Sequence, residues 1–364
     1  MALEKTVNEH IAALQPYEPG KPVEQLAREL GIEGAVKLAS NESPIGPSKR
    51  AVEAIRREVG NIHRYPDGAS FELRVALAER LSLGGEQLVF GAGADEILEL
   101  LAKSLLSPGD EVVHAWPSFA MYPIVVQGMG ATPVQVPLTD DLVHDLPAMA
   151  KAVNDRTKLV FVCNPNNPTG TSVGRDAFDA FMEAIPAGVV VAIDEAYVDF
   201  ARREDFPDSL AWVARRPGTI VLRTFSKIFG LAGVRVGYGA TDPELADYLQ
   251  RARHPFNVNR LAEVAALAAL DDDEHADRAR SVNAEGLEYL TRELVDLGVE
   301  VWPSDANFLL ARTGPDAYDR LLCEGVIVRS TAGFGMPDCI RVSVGLPKEN
   351  QHFIDALKRI RGVR

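Results

Sequence analysis

Short apolar segments alternate with longer amphipathic segments between residues 87 and 252, and this alternation limits the folds that the chain can adopt. The apolar segments have the length of strands and the amphipathic ones have helical spacing. Strands joined by helices usually run parallel, in a sheet covered on both faces. We therefore predict an α/β fold with a mostly parallel, seven-stranded sheet between helices. The predicted strands are 87–91, 111–115, 132–137, 158–163, 189–193, 219–223 and 235–240. The predicted helices are 94–105, 119–128, 146–153, 175–184, 208–214 and 242–252.

The pattern changes after about residue 257. One long helical pattern over 259–295 is followed by shorter elements, which indicates a smaller α+β domain. We predict an N-terminal arm (1–40) that packs with this small domain, a large domain (41–256) and the small domain (257–364). Strands are expected near 299–302, 307–311, 326–329 and 339–344, with helices near 315–323 and from 348.

Composition restricts the partners. The net charge of −14 argues against nucleic acid or an anionic membrane as the main partner. The cysteines (Cys163, Cys323 and Cys339) are odd in number and far apart, which predicts neither a metal site nor a disulfide framework. Charges throughout the first 15 residues predict no signal peptide, and no apolar segment is long enough to cross a bilayer. We expect a cytoplasmic protein.

Lys227 follows the apolar strand at 219–223 and precedes a glycine-punctuated turn. A buried, unpaired ammonium is costly, but that cost disappears if the amine is condensed with an aldehyde as a Schiff base. Thr224 and Arg235 could bind a phosphate beside that lysine. These residues favour a pyridoxal phosphate site, whereas the alternative is a surface loop with a solvated lysine.

Gly91 and Gly93 mark a tight turn from a strand into a helix. The first amides of that helix would form an anion site suited to phosphate. The turn superficially resembles a dinucleotide fingerprint, but Glu96 stands where the third glycine is required, which argues against nicotinamide binding. Asp95 could also simply cap the helix.

Further candidates follow the neighbouring strands. Phe119 could stack on a planar cofactor ring, or it could be ordinary core packing. The turn around Asn167 is stiffened by prolines and would aim the Asn167 amide into the cleft. Asp194 ends a central strand, where a protonated pyridine nitrogen would be a suitable partner; alternatively, it caps the next element. Tyr197 could reach the ring oxygen.

Arg329 and Arg341 lie in strand patterns of the predicted small domain. Exposed strand arginines are usually solvated. As a bidentate clamp for an anionic substrate, Arg341 is the better candidate of the two.

As an ordered set, the motifs 166–170, 194–197 and 224–227 with Arg235 resemble those of the fold-type I pyridoxal-phosphate aminotransferases. Within that class the chain is similar to the histidinol-phosphate aminotransferase family over nearly its whole length. The resemblance implies that Lys227 holds pyridoxal phosphate and moves the substrate proton, with Asp194 on the pyridine nitrogen. It implies cofactor-binding roles for Ala94, Asp95, Glu96, Phe119, Asn167, Tyr197, Thr224, Ser226 and Arg235.

The resemblance also implies a homodimer with shared sites. Tyr65 would reach the cofactor phosphate of the neighbouring subunit, and Tyr17 is expected to cross the interface too. Tyr17, Asn41, Arg329 and Arg341 would line the substrate pocket. The expected partners are a small-molecule amino donor and 2-oxoglutarate.

The implied reaction is transamination between histidinol phosphate and 2-oxoglutarate in histidine biosynthesis. One departure keeps an alternative open, because this family often has tyrosine where the chain has Phe119. Loss of that hydroxyl favours an aromatic amino acid, phenylalanine or tyrosine, as the substrate. Decarboxylation of an amino acid phosphate is a further alternative. A non-enzymatic regulator module is disfavoured because no basic helical extension is visible.

Overall fold

The computed structural model describes residues 6–17, 19–32 and 34–363. Its largest sheet has seven strands in the order β2-β8-β7-β6-β5-β3-β4, and β8 alone runs antiparallel to its neighbours. The strands are β2 (Leu88–Gly91), β3 (Glu111–Trp116), β4 (Thr132–Pro137), β5 (Thr157–Cys163), β6 (Val190–Asp194), β7 (Thr219–Thr224) and β8 (Gly237–Thr241). The predicted mostly parallel sheet is confirmed.

Helices cover both faces of this sheet, which is why its central strands are almost continuously apolar. β4 lies at one edge and has Pro133 and Pro137, which an edge strand tolerates because it lacks a partner on one side. The helices around the sheet are α3 (Lys49–Glu58), α4 (Phe71–Leu81), α5 (Ala94–Leu105), α6 (Met121–Gly128), α7 (Leu146–Ala152), α8 (Arg175–Ala184), α9 (Ser209–Arg215), α10 (Pro243–Ala252) and α11 (Arg260–Leu270).

The C-terminal part builds a separate four-stranded antiparallel sheet, in the order β12-β13-β10-β9, with its own apolar core. Its elements are α12 (Asp273–Asp296), β9 (Glu300–Val301), β10 (Phe308–Arg312), α13 (Ala317–Cys323), β11 (Val326–Ile327), β12 (Arg329–Ser330), β13 (Cys339–Ser343) and α14 (Pro347–Arg361). We call this part the small unit.

Two expected elements of the small unit are divided in the structure. The predicted helix over 259–295 is two helices. Helix α11 ends at Leu270, and Asp272 caps the start of α12 by accepting a hydrogen bond from the His275 amide. The predicted strand 326–329 is also divided, since β11 pairs with β1 (Val36–Lys37) whereas β12 pairs with β13. Strand β8 begins at Gly237 rather than 235, because Arg235 has a left-handed φ of 62°.

The N-terminal segment contacts both parts of the molecule. Helix α2 (Val23–Leu30) places Leu26 against Leu322 and Ile327 of the small unit. Helix α1 (Glu9–Ala12) instead contacts α6 beside the large sheet. The predicted domain boundaries at residues 40 and 256 stay a prediction. In the described residues, no helix combines the length and apolar character needed to cross a membrane.

Gly286 sits where α12 packs closely on the segment that follows β13. A Cβ there would overlap the Val344 side chain and lie 3.1 Å from Asn350 Nδ2. We predict that Gly286→Ala lowers the free energy of unfolding by about 1–3 kcal/mol, although alanine is the better helix former. Urea unfolding followed by circular dichroism measures this.

Gly60→Ala is the matched control, because no atom lies within 4 Å of a Cβ at Gly60. Its unfolding free energy should change by less than about 1 kcal/mol. A Gly286→Ala protein as stable as the wild type would contradict the packing described for α12.

Candidate active site

A cleft of about 1040 Å³, its open mouth included, lies at the carboxyl ends of the central strands. Ligands in open α/β sheets bind at this edge. Fourteen of the sixteen residues predicted for the site line it: Tyr17, Asn41, Ala94, Asp95, Phe119, Asn167, Asp194, Tyr197, Thr224, Ser226, Lys227, Arg235, Arg329 and Arg341.

The alternation of side chains along the strands explains why three neighbouring strands end in cleft residues. Residues 159, 161 and 163 of β5 face one apolar core, as do 192 of β6 and 220 and 222 of β7. Continuing this period of two places Cys163, Asp194 and Thr224 on the same face. All three line the cleft at adjacent strand ends.

Lys227 lies just beyond β7 and extends into the cleft. Its Nζ donates to the Ser40 carbonyl at 3.3 Å and lies 5.5 Å from the centre of the Tyr197 ring. Burial, and then the positive charge of Arg341, lowers the pKa of this amine from 10.5 to about 8. A far larger share of this amine than of an ordinary lysine is therefore neutral near pH 7, and the neutral form is the nucleophile.

Asp194 is buried at the end of β6, only 4% exposed. Its Oδ2 accepts from the Tyr122 hydroxyl at 2.8 Å, and its Oδ1 accepts from the Ala196 amide at 3.1 Å. Burial raises the pKa of the carboxyl to about 6, although both hydrogen bonds oppose that shift. A cationic partner in the cleft would favour the ionised form.

The hydroxyl of Tyr197 accepts from Asn41 Nδ2 at 3.0 Å, and burial raises the pKa of this phenol. Asn41 is itself fixed by Ser343 of the small unit, whose hydroxyl donates to Asn41 Oδ1 at 2.8 Å. The Tyr197 hydroxyl is therefore protonated and oriented, and it can donate to a ligand oxygen.

Donors converge at the start of α5. Arg235 Nη1 lies 3.5 Å from Ser226 Oγ, and Arg235 Nη2 lies 3.4 Å from Asp95 Oδ2. Gly93, with φ of 88°, leaves room for the Arg235 guanidinium, which a Cβ at that position would strike. A helix N-terminus with an arginine and a hydroxyl beside it suits a phosphate group.

Arg341 reaches the cleft from β13 of the small unit and is 6% exposed. Its two terminal nitrogens each donate at 2.5 Å, to Asn167 Oδ1 and to the Ala39 carbonyl. Burial lowers the pKa of the guanidinium from 12.5 to about 10. Because Asn167 uses its carbonyl oxygen for Arg341, its amide nitrogen remains to donate to a ligand. Arg329 lies nearby, 5.6 Å from the Tyr17 ring centre.

Residues 33–357 match the family model described as aminotransferase class I and II. This chain belongs to that aminotransferase family. Over 356 residues it is 49% identical to the histidinol-phosphate aminotransferase of Moorella thermoacetica, covering 97% of this chain and 92% of that protein. It is 47% identical to histidinol-phosphate aminotransferase 1 of Nitrosococcus oceani, covering 96% and 95%.

The fold resembles that of a solved member of the same group. The histidinol-phosphate aminotransferase of Sinorhizobium meliloti, solved in complex with pyridoxal-5'-phosphate, superposes with a TM-score of 0.90 at 30% identity, covering 98% of each chain. The predicted fold class, fold-type I of the pyridoxal-phosphate-dependent transferases, and the predicted family are confirmed.

Two predicted residues of this aminotransferase do not reach its cleft. The Glu96 carboxylate turns back along α5, where it accepts from the Ala92 amide at 2.5 Å and from Asn257 Nδ2 at 2.9 Å. These contacts hold the turn at the start of α5, and the cofactor-binding role expected of Glu96 stays a prediction. Tyr65 is 83% exposed outside the cleft and stacks on Phe256.

Tyr17 lines the cleft of its own chain, against Arg329. Its contribution across a subunit interface stays a prediction. Of the residues that sequence reasoning missed, Tyr122 binds Asp194 directly and Glu42 lines the cleft, paired with Lys37 at 3.0 Å. Tyr122 lies three residues after Phe119, in the same aromatic-rich segment that follows β3.

The environment of Lys227 predicts its titration in the cofactor-free protein. Acetylation of Lys227 should have a midpoint near pH 8, and near its ordinary 10.5 in the urea-unfolded chain. Arg341→Gln should raise the midpoint in the folded protein, because a neighbouring cation is removed. Pulse labelling with acetic anhydride across pH, read by peptide mass spectrometry, measures both.

Arg329→Gln is the control, because Arg329 is not among the charges that act most strongly on Lys227. It should move the midpoint less than Arg341→Gln does. Equal midpoints for Lys227 in the folded and unfolded protein would contradict the desolvation described above.

Proposed function

We propose that this protein is a pyridoxal-phosphate-dependent aminotransferase that exchanges an amino group between L-histidinol phosphate and 2-oxoglutarate. The observation that carries the proposal is the arrangement of Lys227 and Asp194, an amine and a carboxylate each destabilised by burial in one cleft. Relatives at nearly half identity, matched over almost their whole length, carry the name of this enzyme. Its cytoplasmic location stays a prediction.

The residues of the cleft fit pyridoxal phosphate. The cradle of Gly93, Ser226 and Arg235 offers donors for a phosphate, and no Cβ obstructs the approach. Asp194 has each oxygen held by one donor, so the carboxylate keeps lone pairs for a further cationic N–H. Lys227 supplies the amine for the aldehyde, and Phe119 supplies an aromatic face.

The side chains around the cofactor then have distinct tasks. When bound, pyridoxal phosphate would accept the electron pair released when the substrate carbon loses its proton. Asp194 would keep the proton on the pyridine nitrogen, and Tyr197 would donate to the ring oxygen. Lys227 Nζ would take the proton from the substrate carbon and deliver it again, as a general base and acid.

Arg341 and Arg329 are suited to the anionic end of both substrates. Histidinol phosphate carries a phosphomonoester and 2-oxoglutarate a second carboxylate, and a guanidinium binds either as a fork. Tyr17 lies beside Arg329 and contributes a wall to the same end of the cleft. The alternative donor, phenylalanine or tyrosine, is favoured only by Phe119, which lacks the hydroxyl often found there.

The donor preference tests the proposed substrate. We expect kcat/KM with 2-oxoglutarate to be higher for histidinol phosphate than for phenylalanine or tyrosine, because only the first offers a phosphate to the arginines. Lys227→Ala should purify without the visible absorbance of bound pyridoxal phosphate and lose at least about 100-fold in kcat.

The donors are ranked by measuring, for each one, the absorbance change as the cofactor is converted to its amine form. A higher kcat/KM for phenylalanine would replace histidinol phosphate by the aromatic alternative. Release of carbon dioxide from an amino acid phosphate would replace transamination by decarboxylation. A fully active Lys227→Ala enzyme would contradict the whole assignment.

We also propose a homodimer in which Tyr65 of one subunit completes the cofactor site of the other. Tyr65 is 83% exposed although it is stacked on Phe256, with ring centres 4.8 Å apart. Ile62 (65%) and Phe71 (62%) are other large exposed hydrophobic residues of this region. Exposed apolar side chains concentrated in one region indicate a protein interface.

Mixed dimers test the shared site. Lys227→Ala and Tyr65→Ala subunits should each form impaired homodimers, whereas a dimer of one of each has one intact site. In an equal mixture about half of the dimers are mixed and each has one intact site, so activity should rise above the mean of the two parents, towards about a quarter of the wild-type value. Mixing Lys227→Ala with Tyr248→Ala, another exposed tyrosine, gives the reference for an unimpaired partner. If the activity of the mixture is only the mean of the activities of its two parent homodimers, Tyr65 is not shared between subunits.

A further inference from the structure

Tyr122 is a fully buried phenol behind the cleft. It lies on α6, stacks on Phe161 with ring centres 4.6 Å apart, and makes an edge contact with Phe119 at 5.6 Å. Its hydroxyl donates to Asp194 Oδ2 at 2.8 Å. This one side chain therefore contacts both the aromatic residue and the carboxylate that were predicted to hold the cofactor ring.

The ring of Tyr122 fixes the position of the hydroxyl. His114 contacts the same ring edge-on at 6.0 Å, so three aromatic side chains surround it. A close-packed side chain in this setting has little rotational freedom. The other donor to Asp194 is the backbone of Ala196, which belongs to the same turn and cannot rotate independently. Tyr122 is thus the side chain that determines the orientation of the carboxylate.

We propose that Tyr122 is a positioning residue that aims the Asp194 carboxylate at the cofactor's pyridine nitrogen and couples this carboxylate to the ring-stacking residue Phe119. The inference rests on the proposed pyridoxal phosphate site. Tyr122 does not line the cleft, so it acts through Asp194 rather than on the cofactor itself.

The chemistry of the pair supports this role. Burial, and then the charge of Asp194, raises the pKa of Tyr122 well above its ordinary value, so the phenol keeps its proton and serves only as a donor to the carboxylate. A hydrogen bond to the charged form of a carboxyl favours that form. The hydroxyl therefore opposes the effect of burial on Asp194 and keeps it anionic for a cationic ring nitrogen.

Tyr122→Phe tests the proposal because it removes the hydroxyl and retains the packed ring. The affinity of the cofactor-free protein is measured for pyridoxal phosphate and for the analogue whose ring nitrogen is replaced by C–H. We expect the variant to bind pyridoxal phosphate about fivefold to tenfold more weakly. Its affinity for the analogue should change by less than about twofold, because the analogue has no nitrogen for Asp194 to meet.

Equal losses for the two ligands would overturn the proposal, since they would mean that Tyr122 only supports the shape of the pocket. No loss for either would overturn it as well. The hydrogen bond is tested independently in an Asp194→Asn background, where adding Tyr122→Phe should weaken pyridoxal phosphate binding no further. An additional loss there would show that Tyr122 acts by another route.

Phe161→Leu is the packing control, because it alters the support of the Tyr122 ring and leaves the hydroxyl in place. It should affect both ligands alike. A different result would contradict the proposed function itself: the wild-type protein would bind neither ligand and would form no borohydride-reducible adduct at Lys227. A failure of the Tyr122 proposal leaves wild-type binding intact.

Discussion

The burial of two ionisable groups of opposite charge is the constraint on which this site depends. Burial lowers the pKa of Lys227 to about 8 and raises that of Asp194 to about 6. The charged form of each group is therefore less stable here than in water. Neither is the other's partner, since Lys227 donates to Ser40 and Asp194 accepts from Tyr122. The fold therefore keeps an unfavourable desolvation that a ligand with an aldehyde and a cationic nitrogen would relieve.

Much of this arrangement could be predicted from the sequence because parallel strands repeat a simple geometry. Polar residues that end consecutive buried strands must meet at one sheet edge, and a period of two places them on one face. Asp194 can be predicted from its place at the end of a buried strand, and Thr224 from its place beside Lys227 at the end of another. The glycine turn at Gly91 and Gly93 was identified by a comparable argument, from the orientation of amides at a helix start.

Other features depend on contacts that no local pattern contains. In sequence Tyr122 resembles an ordinary apolar-face residue of α6, and only the folded structure shows that its hydroxyl donates to Asp194. The hydrogen bond from Asn257 to the Glu96 carboxylate joins residues far apart in the chain, so no local pattern predicts it. Tyr65 cannot be placed by one chain, because its proposed partner belongs to another subunit.

Arg341 links the small unit to the rest of the cleft through two hydrogen bonds. Both terminal nitrogens are occupied, one by Asn167 from the large sheet and one by the Ala39 carbonyl. A phosphate or carboxylate that takes the guanidinium fork must compete with these neutral acceptors, and the charged ligand forms the stronger hydrogen bonds. If the ligand replaced these acceptors, Arg341 would release Asn167 and the Ala39 carbonyl. Ala39 lies close to Asn41, whose amide donates to the Tyr197 hydroxyl. Anion binding at Arg341 would thereby disturb the contacts of Asn167 and Asn41, which lie beside the predicted position of the cofactor ring.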